Sequence, residues 1–302
     1  MFSTWGKVLE KYFNRLLDVI SVRLCYGCKK AYAHPGNKYY CAYCFDNLKS
    51  NWLNKNYSRK HLDFSYAELT EFYDDTIPVY PKIYFATEYN TLTKSLMRYF
   101  KYHKPYISEF WAKFLSEYWK LHADWILSDL TQDEVARFNP SKESNTTLKF
   151  WVSYVPMNDE KLKSRTYNQA ELIAKEFTEL LNKELKKSKV QYLYQSSQGL
   201  AYTAVAEYKL LPNLISRIKN TESLYDKSKQ ERLAILHGAF SVNALEIDGI
   251  FRTDFQEENI LIIIDDISTT GATAMEIYRS LNLEEHLWQE IIFLTVTGRN
   301  FK

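Results

Sequence analysis

Residues 260–273 read ILIIIDDISTTGAT, and this stretch decides the fold class of the chain. An apolar run ends in two adjacent acids, and a threonine-rich turn with one glycine leads into a helical pattern. The order predicts a buried strand, a turn and a helix N-terminus, where main-chain N–H groups and the helix dipole favour an anion. Gly271 allows a ligand to approach the main chain closely.

The side chains around this turn indicate the kind of ligand. Hydroxyl groups that can donate to phosphate oxygens belong to Thr269, Thr270 and Thr273. Asp265 and Asp266 repel a phosphate, but their carboxylates can accept hydrogen bonds from a vicinal diol. The residues therefore predict a sugar phosphate with free hydroxyls. The alternative is an ordinary strand end whose Asp and Thr residues cap the next helix, which two acids before Thr-Thr-Gly fit badly.

Strand and helix patterns alternate along most of the chain. The predicted strands are Lys82–Thr87, Lys149–Val155, Ala239–Val242, Ile260–Ile264 and Glu290–Val296. The predicted helices are Leu92–Tyr102, Tyr106–Leu121, Tyr167–Lys187 and Ala272–Leu283. Such alternation predicts an α/β fold with a parallel sheet covered on both faces. Residues 124–148 and 190–208 fit the pattern poorly and are expected to be insertions on the surface or at the sheet edge.

All four cysteines form one pattern, Cys25-x-x-Cys28 and, after twelve residues, Cys41-x-x-Cys44. Each C-x-x-C turn places two thiolates within reach of one tetrahedral ion. Disulfides and unrelated buried thiols are the alternatives, and a cytoplasmic setting disfavours disulfides. We therefore predict a structural zinc ion bound by four thiolates, with no open position for catalysis.

Length and composition favour a cytoplasmic protein with a substantial core. The chain has 302 residues, of which 46% are hydrophobic, and a net charge of +2 that leaves room for a local basic groove. No apolar run approaches the ~20 residues of a membrane span. Apolar residues from Trp5 to Ile20 recur at helical spacing, which predicts an amphipathic helix and not a signal peptide. We expect a zinc-finger module at 1–60 and an α/β domain at 82–302.

Further motifs appear in an order typical of one family. They are Met97-x-x-Phe100-Lys101-Tyr102, Val155-Pro156-Met157, Lys161-x-Lys163-x-Arg165-x-Tyr167-Asn168-Gln169-Ala170, Arg217-x-x-x-Thr221, Glu231-Arg232 and Gly238-Ala239-Phe240. Together with the acid–threonine stretch and the cysteine pairs, they resemble the ComF/GntX branch of the type I phosphoribosyltransferases over nearly the whole chain. The resemblance implies a Rossmann-like sheet that binds 5-phosphoribosyl 1-pyrophosphate (PRPP) with Mg²⁺.

The resemblance also implies roles for individual residues. Asp265 and Asp266 would bind the ribose hydroxyls of PRPP. The 5′-phosphate would be held by Thr269, Thr270, Gly271, Ala272 and Thr273. The pyrophosphate side would comprise Val155, Pro156, Met157, Lys161 and Arg165. A lid over the ligand would carry Arg217, Thr221 and Arg232. The family usually has Gln at the position of Leu224 and Asn at that of Ile235, so this sequence lacks two polar side chains of the lid. The resemblance assigns no catalytic residue.

Three functions stay open at this point. Proteins of this branch are associated with natural transformation, so the first is a PRPP-binding protein that handles incoming single-stranded DNA beside the DNA-uptake machinery. The second is an active phosphoribosyltransferase with an unknown acceptor, and the third is a scaffold that binds a partner through the zinc module. Basic and aromatic residues that can bind single-stranded DNA are Lys94, Arg98, Tyr99, Lys101, Tyr102 and Lys104.

Overall fold

A seven-stranded sheet forms the centre of the fold. The computed structural model of the chain describes residues 23–32, 38–50, 52, 59–60, 69, 81–102, 104–131, 148–188, 191–195, 201–222, 224, 226–251, 258–282, 288 and 290–299. Its strands are β1 (Arg23–Leu24), β2 (Ala31–Tyr32), β3 (Arg59–Lys60), β4 (Lys82–Glu88), β5 (Leu148–Tyr154), β6 (Gln191–Gln195), β7 (Ala201–Leu210), β8 (Ile215–Arg217), β9 (Phe240–Val242), β10 (Glu258–Ser268) and β11 (Glu290–Gly298).

Eight α-helices accompany these strands in the described residues. They are α1 (Ala42–Leu48), α2 (Thr91–Tyr102), α3 (Ser108–Thr131), α4 (Asp159–Arg165), α5 (Gln169–Ser188), α6 (Lys229–Leu236), α7 (Ala244–Phe251) and α8 (Ala272–Asn282). A short 3₁₀ turn, Pro105–Ile107, precedes α3. None of the helices in the described ranges is long and apolar enough to cross a bilayer.

The strand order of the large sheet is β3-β4-β11-β10-β5-β7-β6. The five strands from β4 to β7 are parallel, and β3 and β6 add antiparallel edges. The predicted α/β fold with a parallel sheet is therefore confirmed. After β5 the chain passes outward to β7, and after β10 it passes to β11 on the opposite side. The carboxyl ends of β5 and β10 thus meet at a topological switch point, where open α/β sheets bind ligands.

Strand β10 shows why the apolar run of the sequence is continuous. Its side chains alternate between the faces of the sheet. Ile260, Ile262 and Ile264 pack in one cluster with α2, α3 and α5. Leu261 and Ile263 pack in a second cluster with α6 and α8. Since both faces are covered, every position from Asn259 to Ile264 is buried.

The predicted strands and helices lie within a few residues of the observed ones, with two larger differences. Helix α3 continues to Thr131, and Ile126 and Leu127 are buried, so the stretch at 124–148 begins inside a core helix. Strand β7, in the stretch at 190–208, pairs in parallel with β5, and β6 forms the sheet edge beyond it. The amphipathic helix predicted at 5–20 lies outside the described residues, and the module boundaries stay a prediction.

Candidate functional site

The four cysteines converge on one point. The sulfur atoms of Cys25, Cys28, Cys41 and Cys44 all lie within 4.8 Å of one another, and those of Cys28 and Cys41 are 3.9 Å apart. Four thiolates around a zinc ion at about 2.3 Å have sulfur–sulfur distances of about 3.8 Å. The cluster is thus close to this geometry and can hold a metal ion such as zinc.

Main-chain turns set the chemistry of these thiols. The N–H of Lys29 donates to the carbonyl of Cys25 at 2.9 Å, and the N–H of Cys41 lies 3.4 Å from the sulfur of Cys25. Burial opposes ionisation of Cys25, but main-chain N–H groups at Cys41, Cys28 and Gly27 lower its pKa to about 6. Burial raises the pKa of Cys44. A metal ion that binds all four thiolates therefore displaces protons from the cluster.

The cysteine cluster packs on the α/β domain without a gap. Cys25, Tyr40, Cys44 and Leu48 belong to the same hydrophobic cluster as the buried residues of α2 and α3. Trp52 donates from its indole N–H to the carbonyl of Ala86 in β4 at 2.7 Å. Strand β3 also pairs with β4. The metal-binding segment and the sheet therefore share one core.

The threonine turn, Thr269–Thr273, joins β10 to α8. Gly271 has φ +90°, a conformation that favours glycine. The N–H of Met275 donates to the carbonyl of Gly271 at 2.9 Å, which closes the first turn of α8. The hydroxyl of Thr270 is buried and accepts from the N–H of Ala272 at 3.4 Å, whereas Thr269 and Thr273 are partly exposed. The turn thus faces solvent with the side chains of Thr269 and Thr273.

A small pocket opens against this turn. Its wall contains all five residues of the threonine turn together with Asp265, Val155, Leu224 and Arg232. Arg232 of α6 donates from Nη1 to the hydroxyl of Thr269 at 2.8 Å. The pocket therefore brings together residues from β10, the end of β5, position 224 and α6, which are far apart in the chain.

The acid pair, Asp265 and Asp266, lies beside the pocket. The N–H of Asp266 donates to Oδ1 of Asp265 at 2.8 Å. Burial, and then the charge of Asp266, raise the pKa of Asp265 to about 8. Asp265 lines the pocket, but Asp266 does not; its Oδ2 is 2.8 Å from the ammonium of Lys101 in α2. One acid is therefore open to a ligand, and the other is engaged by a lysine.

Four basic residues form a cation cluster next to the acid pair: Lys101, Lys161, Arg165 and Arg217. Burial and the charges of Arg217, Arg165 and Lys101 lower the pKa of Lys161. Burial also lowers the pKa of Arg217, whose Nη2 donates to the hydroxyl of Thr221. Among the described residues, no carboxylate forms an ion pair with Lys161, Arg165 or Arg217. Such an excess of positive charge favours a multivalent anion.

The segment Tyr167–Gln169 ties these parts together. Asn168 donates to the carbonyl of Val155 at 3.0 Å and accepts from the N–H of Ala170 at 3.0 Å, so it fixes the end of β5 to the start of α5. Tyr167 donates to the carbonyl of Phe100, and Gln169 donates to the carbonyl of Lys101 at 3.3 Å. The end of α2 is thereby fixed against the pyrophosphate side proposed from the sequence.

The main chain at Val155–Met157 has few free donors. The N–H of Val155 donates to the carbonyl of Ile264 at 3.0 Å. Pro156 is buried and has no N–H. Neither Val155 nor Pro156 therefore offers a main-chain N–H to a ligand, and Met157 carries the remaining N–H of this segment.

Eight of the site residues predicted from the sequence line the pocket: Val155, Arg232, Asp265 and the five residues of the threonine turn. The other predicted residues, which are Pro156, Met157, Lys161, Arg165, Arg217, Thr221 and Asp266, do not line it. The sequence does not predict Lys101 as a residue of this site, and it assigns no role to the three residues of Tyr167–Gln169. Two sequence motifs could have indicated these residues, Phe100-Lys101-Tyr102 and Tyr167-Asn168-Gln169. In the structure, side chains of the second motif donate to main-chain carbonyls of the first.

No protein-family model matches this sequence, and no curated protein sequence matches it.

Proposed function

We propose that this chain binds PRPP together with Mg²⁺ at the carboxyl ends of β5 and β10. The observation that carries the proposal is the order of three features along this edge. The threonine turn shares a pocket with Asp265, Asp266 pairs with Lys101, and the charge of Lys101 acts on Lys161 of the cation cluster. PRPP has a 5′-phosphate, a ribose diol and a pyrophosphate in the same order.

Each feature suits the part of PRPP that it would meet. The turn at the start of α8 presents N–H groups and the hydroxyls of Thr269 and Thr273 to a phosphate. Asp265 lines the pocket and can accept from a ribose hydroxyl. The cation cluster lacks an acidic partner for Lys161, Arg165 and Arg217 among the described residues, which suits the most highly charged part of the ligand. Mg²⁺ would be bound chiefly by oxygens of PRPP and by water.

A titration of the chain with PRPP and Mg²⁺ tests this proposal. Isothermal titration calorimetry should show one site in the wild type and none in the double variant Asp265→Asn with Asp266→Asn. Asp46→Asn, which changes an exposed acid on α1, is the matched control and should bind as the wild type does. Absence of binding by the wild type, or equal binding by the double variant, would refute the proposal.

An active phosphoribosyltransferase is the alternative that uses the same site. In that reaction an acceptor forms a bond to C1 of the ribose while the bond from C1 to the pyrophosphate oxygen breaks. The electron pair of the broken bond leaves with pyrophosphate. The cation cluster favours this alternative because it can stabilise the charge that develops on the leaving group. Leu224 argues against it, since it places an apolar side chain in the pocket wall where the family usually has Gln. Release of pyrophosphate from PRPP distinguishes catalysis from binding.

Single-stranded DNA is the proposed macromolecular partner, and α2 carries the observation that favours it. Residues 91–108 contain no acid, and Lys94, Arg98, Tyr99 and Tyr102 are exposed on α2. The cysteine turn extends this face, because the rings of Tyr26 and Tyr99 meet edge to face at 5.3 Å and Lys29 lies over Tyr26 at 5.5 Å. Exposed aromatic rings among cations can stack bases and neutralise phosphates.

Fluorescence anisotropy with a labelled oligonucleotide tests this partner. Binding should weaken steeply as salt rises, and Tyr99→Ala with Tyr102→Ala should weaken it at fixed salt. No binding at low salt would exclude the partner. A role in competence, beside proteins of the DNA-uptake machinery, depends on this result. We also propose that zinc is the ion that holds the cysteine turn in place, so that Tyr26 and Lys29 can contribute to the DNA-binding face.

A further inference from the structure

Lys101 lies between the two oppositely charged halves of the site. Its ammonium is 2.8 Å from Oδ2 of Asp266, and its charge also acts on Asp265. Its charge also acts on Lys161 of the cation cluster. No other cation in the described part of the chain forms an ion pair with the acid pair. The side chain therefore stands where a ribose diol and a pyrophosphate would be joined.

The main chain around Lys101 is fixed by hydrogen bonds from the segment Tyr167–Gln169. Its carbonyl accepts from Gln169 at 3.3 Å, and the carbonyl of Phe100 accepts from Tyr167. Arg165 lies over the ring of the neighbouring Tyr102 at 5.2 Å. Lys101 is only partly exposed. These contacts fix the backbone of Lys101, while its long side chain can still pivot between partners.

A purely structural ion pair does not account for this position. The charge of Lys101 acts on Lys161 together with the charges of Arg165 and Arg217, and repulsion of this kind costs free energy in the free protein. The repulsion is relieved when a multivalent anion enters between them. Sites that store such repulsion are commonly functional.

We propose that Lys101 is a ligand-binding residue of this site, which pairs with Asp266 in the free protein and with the pyrophosphate group of PRPP in the complex. The inference rests on the proposed PRPP function and adds a residue from α2 to it. Lys101 leaves Asp266 as the ligand enters, so the acid becomes available to the ribose hydroxyls or to Mg²⁺. Ligand binding would thereby change a contact of α2, the helix that carries the exposed aromatic and basic residues.

Calorimetric titrations with PRPP, inorganic pyrophosphate and ribose 5-phosphate, each with Mg²⁺, test the inference on Lys101→Met. Loss of one charge-assisted contact should weaken PRPP and pyrophosphate binding by about tenfold or more. Ribose 5-phosphate should bind as well as before or more tightly, because Asp266 is free. Lys101→Arg should restore part of the pyrophosphate affinity, and Lys113→Met, an exposed lysine on α3, should change nothing.

The results separate the inference from the function on which it rests. Unchanged PRPP affinity in Lys101→Met, or an equal loss for all three ligands, overturns the role of Lys101 while PRPP binding stands. A wild type that binds no PRPP overturns both. Should Lys101→Met fail to fold, Lys101→Gln keeps a hydrogen-bond donor for Asp266 without the charge, and the same comparison applies.

Discussion

Arg232 and Thr269 are joined by a hydrogen bond of 2.8 Å from the guanidinium to the threonine hydroxyl. Arg232 also donates from Nε to the carbonyl of Lys227 at 3.0 Å, which positions its side chain across the start of α6. Ser228 and Glu231 form a capping box at that helix start. Helix α6 is therefore fixed directly to the turn proposed to hold the 5′-phosphate.

Replacing Arg232 should weaken ligand binding without unfolding the chain. Arg232→Met removes the bond to Thr269 and one positive charge, so PRPP affinity should fall by about tenfold, as for loss of one hydrogen bond to a charged group. Calorimetry measures the affinity, and circular dichroism checks the fold. Lys183→Met, an exposed position on α5, is the control. PRPP affinity equal to that of the wild type would show that Arg232 does not support ligand binding through Thr269.

Asp265 should make stability depend on pH. Its folded pKa is raised to about 8 by burial and by the charge of Asp266, and its unfolded pKa is about 3.9. Between these values the folded chain keeps a proton that the unfolded chain releases. The free energy of unfolding contributed by this group therefore falls as pH rises from about 4 to about 8.

Asp265→Asn removes this titration and should flatten the pH dependence. At pH 8 the variant should be more stable than the wild type by on the order of 1–2 kcal/mol, since one pKa unit corresponds to about 1.4 kcal/mol and the pocket admits water. Urea unfolding at pH 5 and pH 8 measures the difference. Asp46→Asn should leave the slope unchanged. A variant whose stability follows that of the wild type at both pH values would contradict the raised pKa.

Removing the metal should destabilise the sheet as well as the cysteine segment. Cys25 and Cys44 pack in the same hydrophobic cluster as Trp111 and Phe114 of α3, so loss of the metal exposes part of the main core. Differential scanning calorimetry with a chelator should show one transition at a lower midpoint. Two transitions, with the larger one at its original temperature, would instead indicate an independent zinc module.

Gly27 should be essential for metal affinity. A Cβ atom there would lie 2.9 Å from the sulfur of Cys44 and 2.7 Å from Cδ2 of Leu92, which are both too close. Gly27→Ala should therefore displace Cys44 or α2 and weaken zinc binding by about tenfold or more. Competition with a chromogenic chelator measures the affinity, and Ala42→Gly on α1 tests whether any local change has this effect. Unaltered zinc affinity in Gly27→Ala would show that Leu92 and Cys44 can shift to make room for the added methyl group without disturbing the metal site.

The sequence predicts those parts of the fold in which the local residue pattern specifies the same structure that the tertiary contacts require. The apolar run ending at Ile264 must be buried on both faces, and the glycine after it must allow φ +90°, so strand, turn and helix follow from the sequence. The cysteine spacing likewise specifies the cluster of sulfur atoms. Both predictions depend on residues near one another in the chain.

What could not be predicted depends on contacts between distant segments. Nothing in the pattern around Lys101 indicates that its partner is Asp266, because the order β4-β11-β10-β5 that brings α2 to the end of β10 is a property of the whole sheet. Helix α3 was predicted too short because charged and polar residues around Asp124 mask the buried Ile126 and Leu127. Strand β7 contains three alanines, a residue type that is depleted in strands, and its pairing with β5 decides its structure.

The most direct test of PRPP binding is a crystal structure of the chain with PRPP and Mg²⁺. The 5′-phosphate should lie within hydrogen-bond distance of the N–H groups of the threonine turn, with the ribose hydroxyls at Asp265 and the pyrophosphate against Lys161 and Arg165. Lys101 should have left Asp266. PRPP bound elsewhere, or a site empty of PRPP at saturating concentration, would contradict the account.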